Sequence, residues 1–114
     1  MSTYEPDFCP RYHSAVEMIG RRWAGVILRE LLHGATRFRQ IGAAIPDISD
    51  KLLSERLKRF ESEGVIERVI LPTTPVTIEY RLTEKGRALE AAVRELSIWA
   101  ETWLPVEEPP AAAS

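Results

Sequence analysis

The residues that could do chemistry fall in two places in this sequence. Cys9 and His13 are four residues apart, so a helix would put them on one face, where a cysteine and a histidine can form a nucleophile. The segment ISDKLLSERLKRFESEGVIER, residues 48–68, offers a polar helix face made of Lys51, Ser54, Glu55, Lys58 and Ser62. Such side chains can meet phosphates and base edges. Thiol chemistry and nucleic-acid binding are therefore the two possibilities that the elements must support.

Length and composition restrict the class of protein. A chain of 114 residues fits one domain, and a hydrophobic content of 45% is enough for a core. No run of 18 apolar residues is present, and the first ten residues have neither a basic start nor an apolar stretch. We therefore expect a cytoplasmic protein with no membrane segment and no secretory signal.

Several kinds of site are not expected. Cys9 is the single cysteine, so a disulfide within the chain is impossible, and only His13 and His33 could join it around a metal. The sequence has no Gly-rich phosphate loop, no HExxH and no nucleophile elbow. No obvious third group would orient His13 beside Cys9. We expect no metal, no cofactor and no enzymatic activity.

Charge is distributed unevenly although the formal net charge is only -2. Residues 11–59 hold ten Lys/Arg and five Asp/Glu, whereas residues 60–114 hold five Lys/Arg and ten Asp/Glu. A basic half is typical of a protein that binds nucleic acid, although an uneven solvated surface would look the same.

Apolar spacing and chain-breaking residues predict four helices in the first half of the chain. They run from Pro10, capped by Cys9, to Gly20; from Trp23 to His33; over residues 36–45, before Pro46; and from the cap Ser49 to Gly64. The segments VIERVIL and TIEYRL then predict two strands joined by the turn PTTPV.

A long last helix, capped by Thr83, should follow the strands. Its apolar residues are three and four apart and form a coiled-coil-like seam of Leu89, Ala92, Leu96, Trp99 and Trp103. Residues 1–8 are expected to be a flexible arm, residues 9–104 the folded domain, and the Pro- and Ala-rich residues 105–114 a disordered tail.

This order of elements predicts a mainly α fold with a small β-hairpin wing, an α+β winged helix-turn-helix. The third and fourth helices are joined by the turn PDIS, and the hairpin follows directly. In a helix-turn-helix the second helix lies in the major groove, which would explain the polar face of residues 48–68. Glu55 could instead pair with Arg59, four residues on.

The motifs resemble the HxlR family, bacterial winged-helix regulators related to the MarR group. The resemblance rests on CPRYHSAVEMIGRRWAGVILRELLHGATRF, on ISDKLLSERLKRFESEGVIER and on TPVTIEYRLTEKGRAL, and it covers roughly residues 9–104. It implies a homodimer that binds palindromic operator DNA, usually as a repressor, with the N-terminal segment and the long last helix at the dimer interface.

The resemblance also implies which residues contact DNA. From the recognition helix they are Ser49, Lys51, Ser54, Glu55, Arg56 and Lys58, and Arg37 matches a position that contacts the backbone. The family's wing commonly carries a basic residue where this chain has Val76 and Thr77. Thr73, Thr74 and Thr77 could still donate hydrogen bonds to phosphate, and Arg81 could help from the strand.

The same resemblance implies a redox-sensing role for Cys9, because its Cys-Pro pair matches the cysteine that quinone- and oxidant-sensing members use. A cap position puts the sulfur at the positive end of a helix, near Arg11 and His13, which favours the reactive thiolate, whereas Glu5 and Asp7 would oppose it. A small apolar residue without a redox role is the alternative. An oxidant or a small-molecule effector is thus left open.

A second function class also remains open, a winged-helix protein-interaction module that does not bind DNA. The acidic second half and the uncharged wing tip are compatible with it. Trp23, Trp99 and Trp103 could line a ligand cavity, but aromatic residues at helical spacing more often pack a core or a dimer interface.

Overall fold

The computed structural model describes residues 7–106, and its elements follow the predicted order. They are α1 (Pro10–Gly20), α2 (Ala24–Leu32), α3 (Phe38–Ala44), α4 (Asp50–Ser62), β1 (Ile66–Leu71), β2 (Thr77–Leu82), α5 (Glu84–Arg87) and α6 (Glu90–Trp103). The predicted arm and tail lie outside the described residues except for 7–8 and 105–106, which are exposed. Within residues 7–106 no helix is long and apolar enough to cross a membrane.

One hydrophobic core holds the elements together. It is built mainly from the inner faces of α2 and α4, with contributions from α3 and the base of the hairpin; its residues are Ala24, Ile27, Leu28, Leu31, Ile41, Ile45, Leu53, Leu57, Phe60, Val65, Ile66 and Leu82. Since Leu53, Leu57 and Phe60 bury one face of α4 in this core, the opposite face of α4 must point to solvent.

Proline and serine define the turn of the helix-turn-helix, because Pro46 follows the end of α3 and Ser49 caps the start of α4. Ile45 precedes Pro46 and is extended, at φ -117° and ψ 107°, because proline disfavours the helical conformation of the residue before it. The turn reaches Ser49, whose hydroxyl accepts a hydrogen bond from Leu52 N at 3.0 Å. This is the predicted N-cap, and it satisfies one donor of the first turn of α4.

The wing is an antiparallel hairpin in the register Ile66↔Leu82 to Leu71↔Thr77. It is tied to the rest of the domain at two points. Tyr80 N donates to Thr36 O at 2.8 Å, just before α3. Thr83 Oγ1 lies 2.6 Å from Gly64 O at the end of α4. These bonds hold the hairpin beside the recognition helix.

The predicted long last helix is divided in two, which corrects the sequence analysis. Thr83 does cap a helix, since its hydroxyl accepts from Gly86 N at 3.1 Å, but α5 ends at Arg87. Leu89 N then donates to Gly86 O at 3.1 Å, a bond of the shorter i to i−3 type that interrupts the α-helical ladder.

Gly86 explains where the interruption falls. A Cβ atom at this position would lie 2.2 Å from Val65 O, so only glycine allows α5 to sit this close to the base of the hairpin. The short helix is therefore held against the base of the hairpin, and α6 starts a new helix from Leu89. The seam residues lie on α6, with Leu89 at its cap.

Candidate nucleic-acid interface

The recognition helix α4 has two contrasting faces. Leu53, Leu57 and Phe60 are buried in the core. On the other face Lys51, Glu55 and Lys58 are exposed and Ser54 is half-buried. Two lysines and a hydroxyl on one exposed helix face provide donors for phosphates and for base edges.

Glu55 does not make the ion pair that was considered for it. Arg59 Nε instead lies 2.9 Å from Glu63 Oε2, one turn further along α4. The side chain of Glu55 therefore stays on the exposed face beside Lys51 and Lys58, where a carboxylate can accept a hydrogen bond from a cytosine amino group.

Arg56 is placed on the flank of α4, away from the lysines. Its Nε donates to the backbone oxygen of Arg22 at 2.8 Å, at the corner between α1 and α2. The side chain is half-buried, whereas Lys51 and Lys58 are exposed. Of the recognition-helix residues carried over from the family pattern, Arg56 is the one whose donor is engaged within the chain.

Two further arginines with a predicted DNA role converge on one carboxylate. Arg81 Nη2 lies 2.8 Å from Glu79 Oε1, and Arg37 Nη2 lies 3.9 Å from Glu79 Oε2. Glu79 neutralises part of their charge in the free chain. Both arginine side chains are about half exposed, so they remain accessible to a phosphate that competes with Glu79.

The wing tip is uncharged and internally bonded. Thr73 Oγ1 lies 2.7 Å from Pro75 O and 2.7 Å from Thr77 Oγ1. Thr74 is exposed and Thr77 is half-buried. Of the predicted wing contacts, Thr74 is thus the more accessible.

Arg68 was not among the predicted DNA contacts. It is exposed on β1 and faces Tyr80 across the hairpin. A cleft of about 300 Å³ lies between α4 and the strands and is lined by Ser54, Leu57, Lys58, Glu61, Arg68 and Tyr80. Arg68 is the one basic residue of the segment VIERVIL, so that charge was the available signal. Lys58 from α4 and Arg68 from β1 thus give each wall of this cleft one basic side chain, and Glu61 adds a carboxylate on the α4 side.

Cys9 caps α1 as predicted. Its Sγ accepts a hydrogen bond from Tyr12 N at 3.4 Å, and the residue is exposed. The His13 ring lies 5.1 Å from the Phe8 ring, centroid to centroid, and packs against it at a tilt. The thiol is thus open to solvent at the N-terminus of α1, the opposite end of the helix from its junction with α2.

The predicted seam is mostly exposed in the single chain. Leu89 is half-buried against the core, and Ala92 is exposed. Leu96, Trp99 and Trp103 are 60%, 53% and 70% exposed. Phe8, Tyr12 and Val16, at and before α1, are exposed as well.

The tryptophans do not line the cleft beside α6. This cleft of about 280 Å³ lies between α2 and α6 and is lined by Arg29, Leu32, His33, Glu90, Val93, Arg94, Ser97, Ile98 and Glu101. Trp99 and Trp103 point to solvent instead, which suits a packing surface better than a ligand cavity. Among residues 7–106 there is also no group of three His, Cys, Asp or Glu residues placed to hold a metal ion.

Known proteins with the same sequence pattern are transcriptional regulators. YvaP of Bacillus subtilis strain 168, named an HTH-type transcriptional regulator, is 47% identical over 100 residues, which are 88% of this chain and 93% of YvaP. YodB of the same organism, an HTH-type transcriptional regulator, is 47% identical over 93 residues, 82% of this chain and 83% of YodB.

Solved structures share the fold. The reduced form of YodB matches with a TM-score of 0.76 and 43% identity over 90% of this chain and 100% of that one. YodB has also been solved after diamide treatment and with a quinone bound. The redox regulator HypR in its oxidised form matches with a TM-score of 0.79 and 31% identity, over 86% of this chain and 100% of that one.

The family model HxlR-like helix-turn-helix matches residues 18–108, which include the helix-turn-helix, the wing and α6. This match and the relatives agree with the resemblance seen in the motifs and favour a regulator over an enzyme. The chain belongs to the HxlR-like helix-turn-helix family of transcriptional regulators.

Proposed function

We propose that this chain is a transcriptional regulator that binds a palindromic operator as a homodimer, acting in the cytoplasm on the nucleoid, most simply as a repressor. The observation that carries the proposal is the exposed face of α4, where Lys51 and Lys58 project opposite a fully buried apolar face. Arg68 adds a further exposed cation in the cleft beside it. In a helix-turn-helix this helix enters the major groove.

The exposed apolar faces of α1 and α6 would be covered by a second copy of the chain. The seam residues Leu96, Trp99 and Trp103 bury little within one chain although they are large and apolar. A two-fold axis along α6 would cover them with their own copies. It would also present two recognition helices to half-sites roughly 34 Å apart, one turn of DNA.

The test is the salt dependence of DNA binding, with a duplex selected from a random library by the parent protein. Lys58→Met removes one cation from the recognition face, so the slope of log affinity against log salt should fall by about one unit. Arg94→Gln is the matched control, because it removes a cation from the exposed surface of α6. The control should keep the parent's slope.

Two results would contradict the proposal. Equal slopes for Lys58→Met and the parent would mean that this face does not meet phosphate. If the parent enriches no duplex at all, the chain is a protein-interaction module of the same fold, which is the alternative left open by the sequence.

An oxidant response is a second candidate function, favoured by the position of Cys9. The thiol is exposed and accepts a bond from Tyr12 N at the N-terminus of α1, and the similar protein YodB has been solved in diamide-treated and quinone-bound forms. Two Cys9 thiols can lose two protons and two electrons to diamide and form a disulfide between subunits. A mixed disulfide with a small thiol is the other outcome open to a single cysteine.

Cys9→Ser separates the redox role from the capping role, because serine can still accept the Tyr12 N–H bond. Diamide should weaken operator binding by the parent and leave Cys9→Ser unchanged. Electrophoresis without reductant would show a linked dimer, and mass spectrometry would show a mixed disulfide. Release of Cys9→Ser by diamide to the same extent as the parent would exclude Cys9 as the sensor.

A further inference from the structure

The corner between α1 and α2, residues 20–23, is fastened to the recognition helix by two contacts. Arg56 Nε donates to Arg22 O at 2.8 Å, near the middle of α4. Arg21 Nη1 lies 3.5 Å from Glu63 Oε2, at the C-cap of the same helix. We call these two contacts the corner clamp. They hold α4 at two points along its length, so they restrict its tilt relative to α1 and α2.

The corner itself has an unusual backbone. Trp23 has a φ of 72°, in the left-handed region that bulky residues rarely adopt. The Arg22 guanidinium lies 5.3 Å from the centroid of the Trp23 ring. Strain of this kind persists only where surrounding contacts hold it, and it often marks a functional position. The hydrogen bond from Arg56 to Arg22 O is such a contact.

The position of Arg56 around the helix argues against a DNA contact. At 3.6 residues per turn, Arg56 lies about 140° from Lys51 around the helix axis, whereas Lys58 lies about 20° from Lys51. The exposed lysines thus define the outer face of α4, and Arg56 projects from the side that borders the core. Its half-buried side chain agrees with this placement.

We propose that Arg56 is a positioning residue, which sets the angle of the recognition helix through its Nε–H bond to Arg22 O and makes no phosphate contact. The inference rests on the proposed DNA-binding function and changes one residue's role in it. The exposed residues of α4 then reach base edges only while both contacts of the corner clamp are formed.

Substitution of Arg56 by glutamine and by methionine separates the contribution of its charge from that of its Nε–H donor. The amide Nε2 of glutamine is as many bonds from Cα as the Nε of arginine, so Arg56→Gln removes the charge but keeps a donor for Arg22 O. Arg56→Met extends only as far as the position of Nε and has neither the donor nor the charge. Lys58→Met is the matched control for loss of a phosphate contact on the same helix.

The measurement is affinity for a duplex selected by the parent and for a duplex of unrelated sequence, each over a range of salt. Arg56→Met should lose about tenfold in affinity for the selected duplex, the effect of one misplaced base contact. Its affinity for the unrelated duplex and its salt slope should stay those of the parent. Arg56→Gln should bind both duplexes within about twofold of the parent, because the donor is retained.

Three results would overturn the inference. If Gln and Met both flatten the salt slope by about one unit, as Lys58→Met should, Arg56 contacts phosphate. If Arg56→Met binds like the parent, the clamp does not position the helix. If Gln loses selectivity as much as Met does, the Nε–H bond is not the essential contact. Failure of the proposed function would appear earlier, as a parent that selects no duplex, and would remove this inference with it.

Discussion

The helices α2 and α4 differ from α1 and α6 in what they bury. The first pair contributes seven buried side chains to the core: Ala24, Ile27, Leu28, Leu31, Leu53, Leu57 and Phe60. The second pair contributes none, although α6 carries Leu96, Trp99 and Trp103 and α1 carries Tyr12 and Val16. All four helices are amphipathic, so their apolar faces must serve different purposes.

This difference separates the residues that build the domain from large apolar residues that the chain itself leaves exposed. A single chain gains nothing from leaving aromatic side chains in water, and a surface of this kind usually marks a protein interface. The core pair makes the recognition helix rigid, and the exposed pair would set the distance between two copies of it.

Trp99→Glu should abolish dimer formation, because a two-fold interface would place two new carboxylates near each other without a partner charge. Loss of the second half-site contact should lower operator affinity by roughly 100-fold or more. Light scattering would give the mass and a binding titration the affinity. Ile70→Glu, at a position 57% exposed on β1, is the control and should keep the parent's mass. A dimeric Trp99→Glu would show that α6 is not the interface.

Phe60→Ala and Trp103→Ala should differ in how their effect depends on protein concentration. Phe60 is 1% exposed in the core, so its truncation should cost about 3–5 kcal/mol of unfolding free energy at every concentration. Trp103 is 70% exposed, so its truncation should lower stability only where the parent is a dimer. Urea unfolding at two concentrations measures both. A large loss of unfolding free energy for Trp103→Ala in the monomer would show that Trp103 stabilises the single chain, as a core residue does.

The two helix caps should show the same contrast on a smaller scale. Ser49→Ala should cost about 1 kcal/mol, because α4 belongs to the core. Cys9→Ala should cost less than about 0.5 kcal/mol in the dilute monomer, because sulfur is a weak acceptor and α1 buries no side chain. Denaturant titrations of the two variants against the parent measure the difference. Equal losses would mean that α1 is as firmly anchored as α4.

Much of the fold could be predicted because local residues determine local structure. Pro10, Gly20, Gly34 and Gly64 mark ends of helices within a residue or two of where they occur, and Ser49 caps α4 as its type and position predict. The hairpin followed from the alternation in residues 77–82. The division of the last helix could not be predicted, because it depends on the approach of Gly86 to Val65, 21 residues earlier in the chain.

The candidate site divides in the same way. The polar face of α4 could be identified from its periodicity, because helix geometry alone puts Lys51 and Lys58 together. The pairing of Arg37 and Arg81 with Glu79, and of Arg59 with Glu63, required the folded chain. Side chains as long as arginine reach several partners, so their choice depends on which element lies beside them.

The order of helices and strands, the buried stripe of each element and the family could be predicted from residue type and spacing along the chain. Which polar groups are already hydrogen-bonded became visible only in the folded chain. Arg56 illustrates this, since the family resemblance assigned it a DNA contact, whereas in the folded chain its Nε donates to Arg22 O, 34 residues away. The carbonyl of a distant corner is available as an acceptor only after α1, α2 and α4 have packed together.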